Sequence, residues 1–316
     1  MTSLNALSGT EYELLAGACG LLDRSQRGKL ALTGPDKKTF LHGQVTNEIE
    51  ALTPGEGCYA AFLTPKGKML GDLRVLDAGD ELLLDTERVA LQQLFNMIRR
   101  FCVGYQVELH KRTVESGLLA LIGPASASIA GACELPEVEH AHGPVSIAGV
   151  PARAIRTDVG IDLLCATGEL EPLRAALVAG GAAPVSEAAA ECVRIEHGRP
   201  RYGVDLDDTV IPQEAGLNER AVSFTKGCYV GQETVARLHY RGKPNRRLRG
   251  LRLSAAATAG DEVTFEGRAV GSLTSTAVSP RLGPIALALI RREAPDGAQV
   301  AVGADLTAEV VALPFD

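Results

Sequence analysis

The chain has 316 residues, 46% of them apolar, no tryptophan and only 4% aromatic residues, so its core must rest on Leu, Val, Ile and Ala. Lys and Arg number 32 against 39 Asp and Glu, a net charge of −7 that argues against wholesale wrapping of nucleic acid and leaves room for a local basic patch. No apolar run approaches the ~20 residues of a membrane span. The N-terminal Met-Thr-Ser-Leu-Asn-Ala-Leu lacks the basic start of a signal peptide, and seven scattered cysteines, none in Cys-x-x-Cys spacing, suit a reducing cytoplasm.

At about 150 residues per domain the length predicts two domains or three small ones. Residues 10–23 predict a short helix, 29–34 a strand running into a turn, and 35–41 a helix. Pro35 fits its first turn, where a missing N–H falls among donors without internal acceptors. Residues 57–63 and 69–76 predict strands flanking the turn Thr64-Pro-Lys-Gly-Lys68, with a third strand at 81–85. Residues 88–100 place apolar side chains at helical spacing, and 107–110 return to strand. Interleaved strands and helices predict an α+β domain. The pattern repeats loosely between 112 and 220, with strands at 118–122, 144–147 and 152–156 and helices at 168–178 and 186–195, the last capped by Ser186. Beyond a charge-rich junction at 237–249, short strands at 248–253, 261–265, 269–274, 285–290 and 309–311 predict a small β-barrel. The expected regions are thus 1–111, 112–240, which carries the Cys228 motif, and 241–316.

The segment Lys226-Gly-Cys-Tyr-Val-Gly-Gln-Glu233 is the strongest candidate for chemistry. An ammonium at Lys226 two residues from Cys228 favours thiolate over thiol, and Gly227 and Gly231 allow a tight turn or close approach. The other six cysteines read as small core residues. No His-x-x-x-His pair, Walker loop, Gly-x-Ser-x-Gly elbow or nucleotide fingerprint occurs, and His197 and His239 read as lone polar residues.

The octet resembles the signature of the YgfZ branch of the folate-binding GcvT-like family, which includes mitochondrial iron–sulfur assembly factors. Further matches follow in family order: Phe40-Leu-His-Gly-Gln-Val-Thr-Asn47, Leu63-Thr-Pro-Lys-Gly-Lys-Met-Leu-Gly-Asp72, Arg194-Ile-Glu-His-Gly198, Pro212-Gln-Glu-Ala-Gly216, and Gly271-Ser-Leu-Thr-Ser275 with Ser279-Pro280. The resemblance implies an α+β, GcvT-like fold: two intertwined ferredoxin-like domains that exchange segments, plus a C-terminal β-barrel, around a central folate-sized cavity.

It further implies tetrahydrofolate, or a related reduced folate, as cofactor. Asp72 matches the aspartate near the folate nitrogen where one-carbon transfer occurs in aminomethyltransferases. Glu196 matches the glutamate that holds the pterin ring, with Asn47 and Arg194 in matching cofactor-binding segments. The transferase branch has an Asp-Asp pair where this chain has Gly71-Asp72, and the octet is foreign to that branch. The resulting expectation is an accessory factor in iron–sulfur cluster assembly or repair that supports cluster enzymes, including those that modify tRNA, and not an ordinary aminomethyltransferase. The alternatives are a folate-dependent aminomethyl or one-carbon transferase and a docking protein with a vestigial cavity.

On this expectation Cys228, with Lys226 beside it, is a transient contact for an iron–sulfur cluster, and no metal is resident because one thiolate leaves most of a tetrahedral site to outside ligands. The expected partners are iron–sulfur assembly proteins or client enzymes, with no membrane. The strip from Arg237 to Arg249, with five arginines and one lysine, reads as a solvated linker or as a contact for RNA, an acidic partner or a folate glutamate tail.

Overall fold

The computed structural model describes residues 9–316. A helix, α1 (Gly9–Gly17), leads into β1 (Gly20–Asp23), β2 (Gly28–Thr33) and α2 (Lys37–His42). Then come β3 (Gly57–Leu63), β4 (Met69–Asp77), β5 (Glu81–Thr86), α3 (Leu91–Phe101) and β6 (Glu108–Lys111). Strands β2 to β6 form an antiparallel sheet in the order β3-β4-β5-β2-β6. The turn between β3 and β4 closes where Gly67 takes φ +76, a left-handed conformation that suits glycine.

The second region contains β7 (Ser116–Ile122), α4 (Ser126–Ile129), β8 (His142–Ile147), β9 (Val150–Arg156), β10 (Gly160–Ala166), α5 (Leu170–Ala179), β11 (Ala183–Pro184) and α6 (Glu187–Glu196). Its sheet runs β11-β1-β7-β10-β9-β8, so β1 from the first region is built into the second sheet. Ser186 caps α6, its hydroxyl accepting from the Ala189 N–H at 3.3 Å. The exchange is reciprocal. After α6 the chain returns through α7 (Asn218–Ala221) and α8 (Gln232–Arg241), and Tyr202, Leu206, Val210, Leu217, Val222, Tyr229 and Val235 join the core of the first sheet.

Strands β12 (Arg246–Leu253), β13 (Glu262–Phe265), β14 (Arg268–Ser279), β15 (Gly283–Arg291), β16 (Gln299–Val302) and β17 (Leu306–Val311) close the C-terminal barrel around its own core. The fold is therefore α+β with a closed barrel, as expected from the sequence. Three local expectations are corrected. Residues 10–23 split into a helix and a strand at Gly17 and Gly20, because β1 pairs with both β7 and β11. Residues 237–249 are not one junction but the end of α8 and the start of β12. The barrel also needs β16, a four-residue strand flanked by Gly297 and Gly303 too short to show a period.

Two sequence motifs meet at one buried ammonium, and a third joins them at Gly231. Lys226 is 8% exposed, and its Nζ donates to the carbonyls of His42, Val45 and Asn47 at 2.5, 2.8 and 2.8 Å. Gly231 completes the seam. It holds φ +86 within the octet, and a Cβ there would stand 2.6 Å from the Thr64 carbonyl oxygen and 3.1 Å from the Gly67 Cα. Replacing Lys226 by Met keeps the stem and removes the donors, stranding three acceptors. The expected outcome is a loss of about 1–3 kcal/mol in urea unfolding; an unchanged midpoint would show that the ammonium does not hold the seam.

Candidate functional site

The two sheets face each other across a slot. Side chains two residues apart share a strand face, so on β4 Asp72 and Arg74 point into the slot while residue 71 points away. At one end lies a cavity of about 210 Å³, lined by Tyr59 and Asp72, by Ala120 and Ile122, by His140, and by Arg27, Arg74, Arg194, Arg199, Arg201 and Arg220. A second cavity of about 600 Å³ adjoins it and shares the walls formed by Ile122, Thr157, Asp158, Val159 and Val193.

Asp72 is 5% exposed, and burial raises its carboxyl to about 6, against the opposing pull of the Tyr59 hydroxyl and Arg27. The Tyr59 hydroxyl donates to Asp72 Oδ2 at 2.6 Å; burial, with Asp72 beside it, lifts that phenol well above its ordinary value. Burial also pushes Asp85 upward, but Arg27 and Arg74 outweigh it and hold that carboxyl at about 2. The wall is therefore a set of fixed ion pairs around one carboxyl that exchanges its proton near neutrality. His140 contributes a neutral imidazole, lowered to about 4 by burial, on a backbone at φ +74 that few non-glycine residues adopt. His140 Nδ1, Arg199 Nη1 and Arg201 Nε are buried without a hydrogen-bond partner among the described residues.

Glu196 lines the adjoining cavity rather than the one at Asp72. It is 5% exposed; its carboxylate accepts from the Tyr12 hydroxyl at 2.9 and 3.0 Å and from the Ser279 hydroxyl. Arg194 does reach the first cavity, but its guanidinium is committed to Glu191, Asp205 and the Ser275 hydroxyl at 2.7–2.8 Å. Asn47 sits behind the wall, its side-chain amide donating to the carbonyls of Tyr59 at 2.8 Å and Arg220 at 3.1 Å.

Cys228 is exposed and lines neither cavity. Lys226 turns its ammonium inward to the three carbonyls; burial lowers its pKa to about 8. Its charge is felt by Cys58, whose thiol burial pushes to about 12 against that pull. The basic strip is divided among elements, and Arg246 and Arg249 pair with Glu214 at 3.2 Å and Asp296 at 2.5 Å. Tyr59, Arg27 and His140 were not among the candidates from sequence, since none stands in a motif. The one available signal was an aromatic in β3 opposite the strand that carries Asp72.

Because the carboxyl of Asp72 is raised in the folded protein to about 6 from its ordinary value of 3.8, the folded state keeps a proton that the unfolded chain has lost between those pH values. Its contribution is therefore fully present below about 4 and is lost as pH rises through about 6. Relative to Asp72→Asn, the wild type should lose roughly 2–3 kcal/mol between pH 4 and pH 7.5. Urea unfolding of both proteins at the two pH values measures this; a constant difference would place the titration elsewhere.

Residues 2–226 match the GCVT N-terminal domain family, and residues 246–316 match the glycine cleavage T-protein C-terminal barrel domain. An aminomethyltransferase of Streptomyces coelicolor is 30% identical over 96% of this chain and 88% of its own. A protein of Arabidopsis thaliana described as a chloroplastic transferase is 32% identical over 93% of this chain and 71% of its own. The crystal structure of glycine cleavage system aminomethyltransferase T from Bartonella henselae has the same fold, with a TM-score of 0.86 and 23% identity over 97% of this chain and 89% of that one.

These likenesses overturn the expectation that the chain is not an ordinary aminomethyltransferase, and the geometry gives the reason. Residue 71 faces the core, where a Cβ would meet the Phe62 ring at 2.5 Å and Ala90 at 2.7 Å. Glycine in place of the first aspartate therefore removes nothing from the cavity. The chain belongs to the glycine cleavage T-protein family, GcvT-like in both its N-terminal domain and its C-terminal barrel.

Proposed function

We propose that the chain is a folate-dependent transferase that moves a one-carbon unit between an amine and tetrahydrofolate, with Asp72 as the catalytic carboxyl. The observation that carries this is a carboxyl buried in a cavity wall, held by Tyr59, with its pKa raised to about 6. The likeness to aminomethyltransferases over nearly the whole chain supports the same reading.

The residues present fit a reduced folate. The adjoining cavities give a ligand room to extend from Asp72 to Glu196. The unpartnered donors of Arg199 and Arg201 and the His140 ring nitrogen are polar atoms in that wall. Tetrahydrofolate, when bound, supplies the nitrogens that accept the one-carbon unit. Asp72 then holds a cationic amine as its carboxylate or exchanges a proton with it, a role suited to a group that titrates close to the working pH. Tyr59 fixes the carboxyl's direction, and the arginine pairs keep their charges while Asp72 changes its own.

Purified protein given tetrahydrofolate and an aminomethylated carrier protein should release ammonia in a folate-dependent way. The rate should rise as pH passes through about 6 and fall about 10²-fold or more in Asp72→Asn. Ammonia release that ignores folate or Asp72 would sink the proposal.

A second reading, a tetrahydrofolate-binding factor of the YgfZ type that assists iron–sulfur assembly proteins or their client enzymes, is favoured by Cys228. This thiol is exposed on the octet and lines neither cavity. In a strain lacking the gene, Cys228→Ala should then fail to restore cluster-dependent enzymes, among them tRNA-modifying ones, while the purified variant still folds and binds folate. Full complementation by the alanine variant would remove that thiol from any cluster chemistry.

A further inference from the structure

The slot between the sheets does not end at the Asp72 cavity. On β4, Arg74 is followed on the same face by Leu76; on β7, Ala120 is preceded by Leu118; on β10, Asp162 is followed by Leu164. Arg74 bridges the slot at its middle, with 2.6 Å bonds to Asp162 Oδ2 and Asp85 Oδ2. Beyond that bridge opens a separate cavity of about 460 Å³, within the size range of small-molecule sites. Leu30, Leu76, Leu83, Leu118, Ile155 and Leu164 line it, a predominantly aliphatic wall.

Its charged lining is unequally paired. Arg74 is spent on Asp85 and Asp162, and Arg112 on Glu115 at 2.9 Å and Glu81 at 3.4 Å. The Lys29 ammonium donates to the carbonyls of Ser25 and Arg27. Arg153 has no carboxylate partner among the described residues; its Nη1 donates to His142 Nδ1 at 2.8 Å. His142 is 2% exposed, and its other ring nitrogen lies 3.1 Å from the Glu56 carbonyl, which fixes the proton on Nε2 and leaves Nδ1 to accept. Burial, with Arg153 beside it, lowers His142 to about 4, so the ring is neutral at ordinary pH. Arg153 is thus oriented by a neutral acceptor, with Glu81 acting on its charge from beyond ion-pair distance, at the edge of an aliphatic cavity, an arrangement that an anionic head would complete.

We propose that this cavity is a binding site, distinct from the Asp72 cavity, for a small carboxylate with an apolar body, the carboxylate on Arg153 and the body against the leucines. Octanoate is a suitable probe, titrated into the full chain by calorimetry, with octanamide as its uncharged counterpart. Octanoate should bind saturably at one site, at least tenfold more tightly than octanamide. Arg153→Gln should lose most of that preference, and Leu164→Trp, which fills the cavity, should abolish binding. Both variants should keep the thermal transition of the wild type, and Asp72→Asn should bind octanoate unchanged. The proposal is overturned by the absence of saturable octanoate binding, or by equal binding of octanoate and octanamide. The latter comparison needs no variant and stands even if one fails to fold. Octanoate binding unaffected by Leu164→Trp in a folded variant would place the ligand elsewhere and equally overturn it.

Discussion

The buried ammonium of Lys226 is the constraint from which the rest of the site follows. Placing a lysine at 8% exposure opposes its charge, and its pKa falls to about 8; three carbonyl acceptors at 2.5–2.8 Å offset part of that cost. Those carbonyls belong to the stretch that leaves α2 and enters the wall of the site. From Asn47 the connections continue: its amide donates to Tyr59 and Arg220, and the Tyr59 hydroxyl donates to Asp72. The Thr46 hydroxyl joins the Ala221 carbonyl and the Ala61 N–H in the same seam. The octet is therefore tied to the carboxyl that titrates, through hydrogen bonds and one β-strand, although its cysteine stands outside the cavity.

A second constraint keeps the slot open. Two sheets packed face to face ordinarily fill the gap with aliphatic side chains. Here Arg74 stands between them with Asp85 on one side and Asp162 on the other, and Arg27 pairs with Asp85 and Glu87 at 2.8 and 2.5 Å. Paired charges of this length hold the sheets at a fixed spacing. Truncating one partner would strand the other in a buried setting, which is strongly destabilising. What remains on either side of Arg74 is unfilled volume, polar toward Asp72 and aliphatic toward Leu164.

Much of this was legible in the sequence, and the limits are physical. Strand alternation and the Pro/Gly turn located β3 and β4, and Asp72 stood out within its motif. The barrel was legible from short strands between Gly, Pro and Asp, except where β16 was too short to show a period. The direction of Lys226 was not legible, because a side chain two residues from a cysteine points where long-range acceptors exist, and these lie about 180 residues earlier in the chain. Tyr59 escaped notice for the same reason, since its role depends on a diagonal neighbour on β4. Gly71 misled because a missing carboxylate reads as lost chemistry, whereas alternation turns that position toward Phe62 and Ala90.

Glu196 shows how one residue can serve fold and ligand together. Its backbone carbonyl accepts from the Phe315 N–H at 3.0 Å, and its carboxylate joins Tyr12 of α1 to Ser279 at the end of β14, so three parts of the chain converge on it. The Ser279 hydroxyl, the Cys192 thiol and, at 3.0 Å, the Tyr12 hydroxyl address Oε1, while among the described residues Oε2 receives only that same Tyr12 hydroxyl, at 2.9 Å. A carboxylate offers about four acceptor positions, so acceptor capacity remains on the oxygen least occupied. A donor entering the adjoining cavity can add to that oxygen, or exchange with Tyr12, without breaking the Ser279 bond that anchors the barrel. The fold thus secures Glu196 chiefly through Oε1 and leaves Oε2, held by Tyr12 alone among the described residues, as the more adaptable half of the group.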